Sequence, residues 1–394
     1  MQVIKRDCTL VEFDKNKIYN AIMKAMTNGS GIVKENIAKT ISDEIELENK
    51  DKDEVEISEI ESQVFDKLLK HKQKLTAKAY EGYRKIREYQ RTTTNSTDES
   101  IIELLSGKNN YLNRENSNKN ATLVTTQRDY MAGEVSKDMV NRFLLPSDLV
   151  QLHKQGIIHF HDADYFAQPM HNCCLINLED ILQNGTIING VKIDKPHRLL
   201  TATTIATQVI TSVTSSQYGG ATISLTHLAP FVRDSYNAIK SDVLKEMDEL
   251  HIGLNNKEID KLVMMRLKKE VEASVQTFNY QINSMSTTNG QSPFISVFMY
   301  LNETDEYKDE LAMLIEEFLN QRILGMKNEK GVYVTQAFPK LIYALEEDNI
   351  KEGSRYWELT KLSAKCTAKR FVPDYISEKK MKELKEGFCF PSMG

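Results

Sequence analysis

His171-Asn-Cys-Cys-Leu-Ile-Asn-Leu-Glu-Asp180 sets two adjacent thiols into a short apolar run, which reads as a strand over residues 173–177. Successive side chains of a strand point to opposite faces, so one of Cys173 and Cys174 can look into a pocket while the other packs into the core. Adjacent cysteines do not easily close a disulfide on each other without distorting the backbone. By pattern alone, two small buried residues fit this run as well as a reactive thiol does.

Just upstream, residues 157–161 are expected to form another strand, with His159 and His161 on one face. His159, His161, Asp162, Asp164 and His171, together with the two thiols, are metal-ligating types, but their spacing contains no C-x-x-C or H-x-x-x-H pair. No metal is expected there. Asp162 and Asp164 are expected to order the turn through local backbone bonds. Two stretches follow downstream: Thr211-Ser-Val-Thr-Ser-Ser-Gln-Tyr-Gly-Gly-Ala-Thr222 and Ser286-Thr-Thr-Asn-Gly-Gln-Ser-Pro-Phe294. Both are rich in hydroxyls and amides, with glycines that let backbone N–H groups approach a phosphate. Neither carries a P-loop lysine, and loop structure is the plainer reading of each.

Around this centre, the chain from residue 121 to 394 has the texture of a large mixed α/β domain. Helical periodicity marks residues 136–143, around 240–246, and the series Ile259, Leu262, Val263, Leu267, Val271, Val275, whereas residues 294–300 read as a strand. The two long helices carry more apolar residues than one packing face needs, which points to a homodimer. Residues 199–232 contain no Asp, Glu, Lys or Arg, yet twelve of them are Ser or Thr. That stretch reads as buried protein core, not as a lipid-facing span.

Residues 1–91 form a distinct unit. Short strands at 3–5 and 9–13 flank a polar turn, and a helix begins near Lys15 with Ile18, Ile22 and Ala25 on one face. Ser58 with Glu61 reads as a capping box opening a second helix, and a last helix runs over 77–89. Lys5, Arg6 and Lys17 can gather around one anionic ligand, with Val3 and Ile18 offering apolar contact to a ring. Residues 92–120 form a polar linker, with six asparagines from 109 onward and one short helix around 101–105.

The composition fits this picture. The 394 residues carry 51 Lys and Arg against 56 Asp and Glu, a net charge of −5, so no basic field advertises nucleic acid and none is expected as a partner. Five cysteines (Cys8, Cys173, Cys174, Cys366, Cys389) and an N-terminus without an apolar leader favour a reduced, cytoplasmic setting away from membranes. Cys366 sits on an expected helix and reads as structural.

In order, these segments resemble the anaerobic (class III) ribonucleoside-triphosphate reductases. The resemblance is carried by residues 1–91, which are similar to an ATP cone; His159-Phe-His-Asp-Ala-Asp-Tyr165; His171–Asp180 with Asn184-Gly185; Ser216-Gln-Tyr-Gly-Gly220; Asn289-Gly-Gln-Ser-Pro-Phe294; and Lys365-Cys-Thr-Ala-Lys-Arg-Phe-Val-Pro-Asp-Tyr375. The cone usually has Gly where Cys8 stands.

The resemblance implies an α/β fold: an ATP cone, mostly helical with a small β element, followed by an incomplete ten-stranded α/β barrel. It implies reduction of ribonucleoside triphosphates to deoxyribonucleoside triphosphates, with formate as the usual reductant. A glycyl radical generates a thiyl that takes the ribose 3′ hydrogen, and a second cysteine, on the first strand, assists departure of the 2′-hydroxyl as water. Cys173 matches that cysteine. Asn172, Ser216, Gln217, Gly219, Gly220, Asn289 and Gly290 match the substrate surroundings. Val3, Lys5, Arg6, Lys17 and Ile18 match the cone's ATP/dATP site. The expected partners are deoxynucleoside triphosphate effectors, a second copy of the chain, a radical S-adenosylmethionine activase and a separate C-terminal polypeptide.

The sequence ends on Phe390-Pro-Ser-Met-Gly394, where the family continues Met-Gly-Cys into its finger loop. The thiyl cysteine, the glycyl-radical loop and the four-cysteine zinc site are expected beyond this point, and Cys389 does not take the thiyl role. A split or truncated gene, a fragment interrupted at the active-site codon, and an incomplete sequence remain open readings. So does the functional alternative, a nucleotide-binding regulatory module or remnant without catalysis. A glycyl-radical enzyme acting on another substrate, such as a pyruvate formate-lyase relative, is disfavoured by the cone and by the Asn-Cys-Cys run.

Overall fold

A computed structural model describes residues 1–5, 9–94, 97–106, 119–120, 122–168 and 170–385. The chain divides into two compact units, Met1–Ile102 and Glu103–Gly394.

In the first unit, strand β1 (Gln2–Ile4) lies antiparallel to β2 (Leu10–Glu12) and parallel to β3 (Glu54–Glu56). Helices α1 (Lys15–Gly29), α2 (Glu35–Asn49), α3 (Ile57–Lys70) and α4 (Lys74–Thr94) pack beside them. The Asp14 carboxylate caps α1 by accepting from the Asn16 N–H at 2.9 Å. Ile22, Met26, Ile41, Ile45 and Leu68 are fully buried in this core. The capping box expected at Ser58 does not form. Helix α3 begins one residue earlier, at Ile57, and the Ser58 hydroxyl donates to the Glu56 carboxylate at 3.0 Å. The polar stretch after the cone is partly helical: α4 runs on to Thr94, and α5 spans Thr97–Leu105.

The second unit is built on an all-parallel sheet in the order β12-β11-β8-β7-β4. Its strands are β4 (Cys174–Leu175), β7 (Ala221–Ser224), β8 (Ile295–Met299), β11 (Lys340–Leu345) and β12 (Asp374–Ser377). Two small antiparallel pairs stand apart from it, β5 (Thr186–Ile188) with β6 (Val191–Ile193) and β9 (Met326–Lys327) with β10 (Tyr333–Val334). Helices α6 (Val124–Met139), α7 (Ser147–Lys154) and α8 (Ala163–Phe166) precede β4 in the chain, and α9 (Leu178–Asn184) follows it. The crossovers and the C-terminal part are α10 (Leu199–Thr214), α11 (Ala229–Leu250), α12 (Asn256–Ser284), α13 (Lys308–Leu324), α14 (Glu347–Ile350), α15 (Trp357–Arg370) and α16 (Glu378–Lys385). Long parallel crossovers of this kind cover a sheet face with helices, and β7 and β8 are accordingly buried along their whole length.

The strand expected at 157–161 is absent. Ile157 and Ile158 both donate their N–H groups to the Leu152 carbonyl, closing the end of α7 past Gly156, whose φ is +73°. The Phe160 N–H goes to His153 Nδ1 at 3.2 Å. Those three donors are committed to the helix end and its neighbour and are not free for a sheet ladder. The apolar series on α12 turns inward: Ile259, Val263, Leu267, Val271 and Val275 all belong to the main core.

Candidate active site

Register decides which thiol faces which way. Cys174 pairs with Ala221, and Ala221 with Ile295. Both partners are fully buried in the helix-covered core, and Cys174 packs against that core. Neighbouring residues in register share a face, so Cys174 lies on the helix side. Leu175 pairs with Thr222 and Thr222 with Ser296, which places the opposite face among hydroxyls. Cys173 precedes the strand by one residue. Its Sγ approaches Asn172 Oδ1 at 3.2 Å, while the Cys174 Sγ donates to Gln217 Oε1 at 3.0 Å. Burial pushes the Cys174 thiol pKa up, with Cys173 adding to the shift.

The segment 216–220 wraps these thiols closely. The Tyr218 N–H donates to the His171 carbonyl at 3.2 Å, the Gly219 N–H to the Asn172 carbonyl at 2.8 Å, and the Cys174 N–H to the Gly220 carbonyl at 3.2 Å. A Cβ on Gly219 would sit 2.8 Å from Cys173 Sγ and closer still to Asn172. The third segment docks on the second: Asn289 Nδ2 donates to the Gln217 carbonyl at 3.3 Å, and Thr288 Oγ1 to the Ser215 carbonyl at 3.0 Å. Gly290 is held at φ +71° against α6, where its carbonyl accepts from Thr126 Oγ1 at 2.9 Å. Asn172, Cys173, Gln217, Gly219, Asn289 and Gly290 therefore form one continuous assembly, with Ser216 exposed and Gly220 buried within it. The backbone N–H groups of Tyr218, Gly219 and Gly290 are committed inside the assembly, so they are not a ready phosphate cradle.

Beside this assembly stands a layer that sequence reasoning did not join to it. The rings of Tyr165 and Tyr218 stack at 4.2 Å. The Tyr218 hydroxyl donates to Asp162 Oδ2 at 3.0 Å, and the Tyr165 hydroxyl to Asp129 Oδ2 at 3.3 Å. Burial, and then the Asp162 carboxylate, push the Tyr218 pKa up. Asp162, at φ +57°, reaches across the fold instead of capping its own turn, contrary to expectation. A stacking partner 53 residues away leaves no mark in local sequence pattern, although the Asp-x-Asp-Tyr run was there to be seen. His159 and His161 contact each other edge-on at 5.3 Å. Among the described residues, no three His, Cys, Asp or Glu side chains gather as a metal site.

In the cone, Val3 (5% exposed) and Ile18 (8%) belong to the apolar core, so at most their edges are open to a ring. Lys5 follows β1, Lys17 lies in the first turn of α1, and both are exposed. Arg6, Cys8, Cys389 and the terminal 390–394 segment lie outside the described residues. Cys366 is fully buried on α15. No helix among the described residues is long and apolar enough to cross a membrane.

A family model described as anaerobic ribonucleoside-triphosphate reductase matches residues 115–394, and one described as the ATP cone domain matches residues 1–89. Among curated proteins, the anaerobic ribonucleoside-triphosphate reductase of Salmonella typhimurium is 33% identical over 394 residues, covering 99% of this chain and 53% of that protein. The Escherichia coli protein of the same name is 32% identical over the same shares. That of Enterobacteria phage T4 is 33% identical over 291 residues, 73% of this chain and 46% of its own. The chain spans about half the length of the curated relatives it matches. Among solved structures, the anaerobic ribonucleotide reductase from Thermotoga maritima in complex with dATP and CTP aligns with a TM-score of 0.49 at 14% identity, covering 75% of this chain and 50% of that one.

Proposed function

This chain belongs to the anaerobic ribonucleoside-triphosphate reductase family and carries an ATP cone at its N-terminus, and from that premise we propose that it supplies the effector-binding cone and the first-strand thiol of a ribonucleoside-triphosphate reductase. The observation that carries this reading is the placement of Cys173. It stands at the start of an edge strand of a parallel sheet, against Gly219, while Cys174 packs toward the helices. The five parallel strands are half of the ten that such a barrel needs.

In the proposed reaction, Cys173 faces the ribose 2′ side and assists the departing 2′-hydroxyl. Asn172 and the 216–220 segment fix the thiol's position, and the 287–291 loop holds that segment in turn. The glycyl radical supplies the oxidising equivalent that starts the family's chemistry. Both it and the zinc site are proposed to belong to the second half of the relatives' length, and formate is the proposed reductant. ATP and dATP are the proposed cone effectors: the exposed ammonium groups of Lys5 and Lys17 fit their phosphates, together with Arg6, and the edges of Val3 and Ile18 meet the base. A homodimer, deoxynucleoside triphosphate effectors, a radical S-adenosylmethionine activase and a polypeptide supplying the second half of the relatives' length complete the proposed assembly. The test is anaerobic co-expression with such a second half, activation, and assay of deoxynucleotide formation. Recovered activity supports the reductase, and association without activity supports a regulatory module.

A further inference from the structure

In the second unit, α12, α13 and the β9–β10 pair enclose a cleft of about 500 Å³, separate from the Cys173 assembly. Its walls are rich in carboxamides, and three of them have donors in use. Gln276 Nε2 donates to the Tyr280 hydroxyl at 3.2 Å, and Asn279 Nδ2 to Gln321 Oε1 at 3.1 Å. Gln321 Nε2 serves both the Glu317 carboxylate at 2.7 Å and the Glu272 carbonyl at 3.0 Å. Unmatched acceptors stand beside them. Gln336 is nine-tenths buried, and its side-chain oxygen has no hydrogen-bond partner among the described residues. The Glu272 and Glu317 carboxylates make no ion pair among the described residues, although both line the cleft. Burial raises the Glu317 pKa, and the facing Glu272 adds to the shift. The one lysine of the lining, Lys327, lies over the Tyr333 ring at 5.3 Å instead of neutralising the acids.

A wall of acceptors with uncompensated negative charge selects a ligand that only donates. An ammonium offers three donors and no acceptor, whereas a phosphate would meet two carboxylates. The ring of Tyr280 and the side chain of Leu324 provide apolar surface for a methylene chain between two such groups. We propose that this cleft binds an alkyl diamine or polyamine, with one ammonium group at Glu272 and Glu317 and its N–H groups reaching the Gln336 oxygen.

Calorimetry of the full chain with putrescine, and with 1,4-butanediol as its uncharged counterpart, tests this. Saturable one-to-one binding of putrescine is expected, with none of the diol. Glu317→Gln and Glu272→Gln should each weaken it about tenfold, the loss of one charge-assisted bond. Lys327→Gln, which removes the one positive charge of the lining and its repulsion of a bound ammonium, should tighten it. Absence of saturable binding overturns the proposal. So does binding that is unchanged in all three variants and displaced by magnesium at equal ionic strength, because that is the behaviour of a counterion atmosphere.

Discussion

At the scale of single residues, Gly219 is glycine because Asn172 and Cys173 occupy the space that a Cβ would take. The same closeness fixes Cys173 while leaving its thiol part-exposed, and it separates the chemistry of the two cysteines. Cys174 is bonded to Gln217, its pKa raised by burial, so little of it is thiolate near neutral pH. Alkylation by iodoacetamide, followed by mass spectrometry, should therefore label Cys173 well before Cys174 and leave buried Cys366 untouched in the folded chain. Labelling of Cys174 ahead of Cys173 would show the two faces reversed. Alternation along Asn-Cys-Cys-Leu was legible in the sequence and put the two thiols on opposite faces, while the side that each takes follows from the register with β7. The Tyr165–Tyr218 stack was not, because nothing in either local pattern records a partner so distant in the chain.

At the scale of elements, the strand ends are closed by buried carboxylates. Glu346, 1% exposed, follows β11 and accepts from the Leu301 N–H at 2.9 Å and the Asn302 N–H at 2.8 Å, tying the end of β8 to that of β11. Burial pushes its pKa up to about 7 despite those two donors. A carboxyl raised in the folded state favours folding while protonated. Its contribution is complete below the unfolded value near 4.5 and is lost as pH rises through about 7. At about 1.4 kcal/mol per pKa unit, the loss between pH 4.5 and pH 8 is on the order of 3 kcal/mol. Urea unfolding of wild type and Glu346→Gln across that range should show the wild type losing stability relative to the variant as pH rises, and a constant difference would refute it. Element types were mostly readable from periodicity, as on α12 and β8. The error at 157–161 has a physical cause: Ile157 and Ile158 stay exposed while their backbone donors close the end of α7, and a donor committed to a helix end looks the same in sequence as one awaiting a strand.

At the scale of the whole molecule, the chain joins an ATP cone to part of the reductase framework, and the boundary between Ile102 and Glu103 falls within α5, ahead of the asparagine-rich residues. The cone's ligand set is the part least legible in advance. Val3 and Ile18 satisfy both a core pattern and a base-contact pattern, and the fold commits them chiefly to the core. Phosphate recognition by Lys5 and Lys17 still carries a plain expectation. In full-length protein, Lys5→Ala or Lys17→Ala should weaken dATP binding roughly ten- to hundred-fold by calorimetry, each removing a charge-assisted bond of about 1.5–3 kcal/mol. Unchanged affinity in both would remove the cone site from these residues. The central claim is that Cys173, and not its neighbour, works on the substrate. It is tested most directly by deoxynucleotide formation in the complemented, activated complex carrying Cys173→Ser or Cys174→Ser. The account predicts no product from Cys173→Ser with nucleotide binding intact, and near-normal turnover from Cys174→Ser, whose hydroxyl can still donate to Gln217. Normal turnover by Cys173→Ser alongside a dead Cys174→Ser would contradict it.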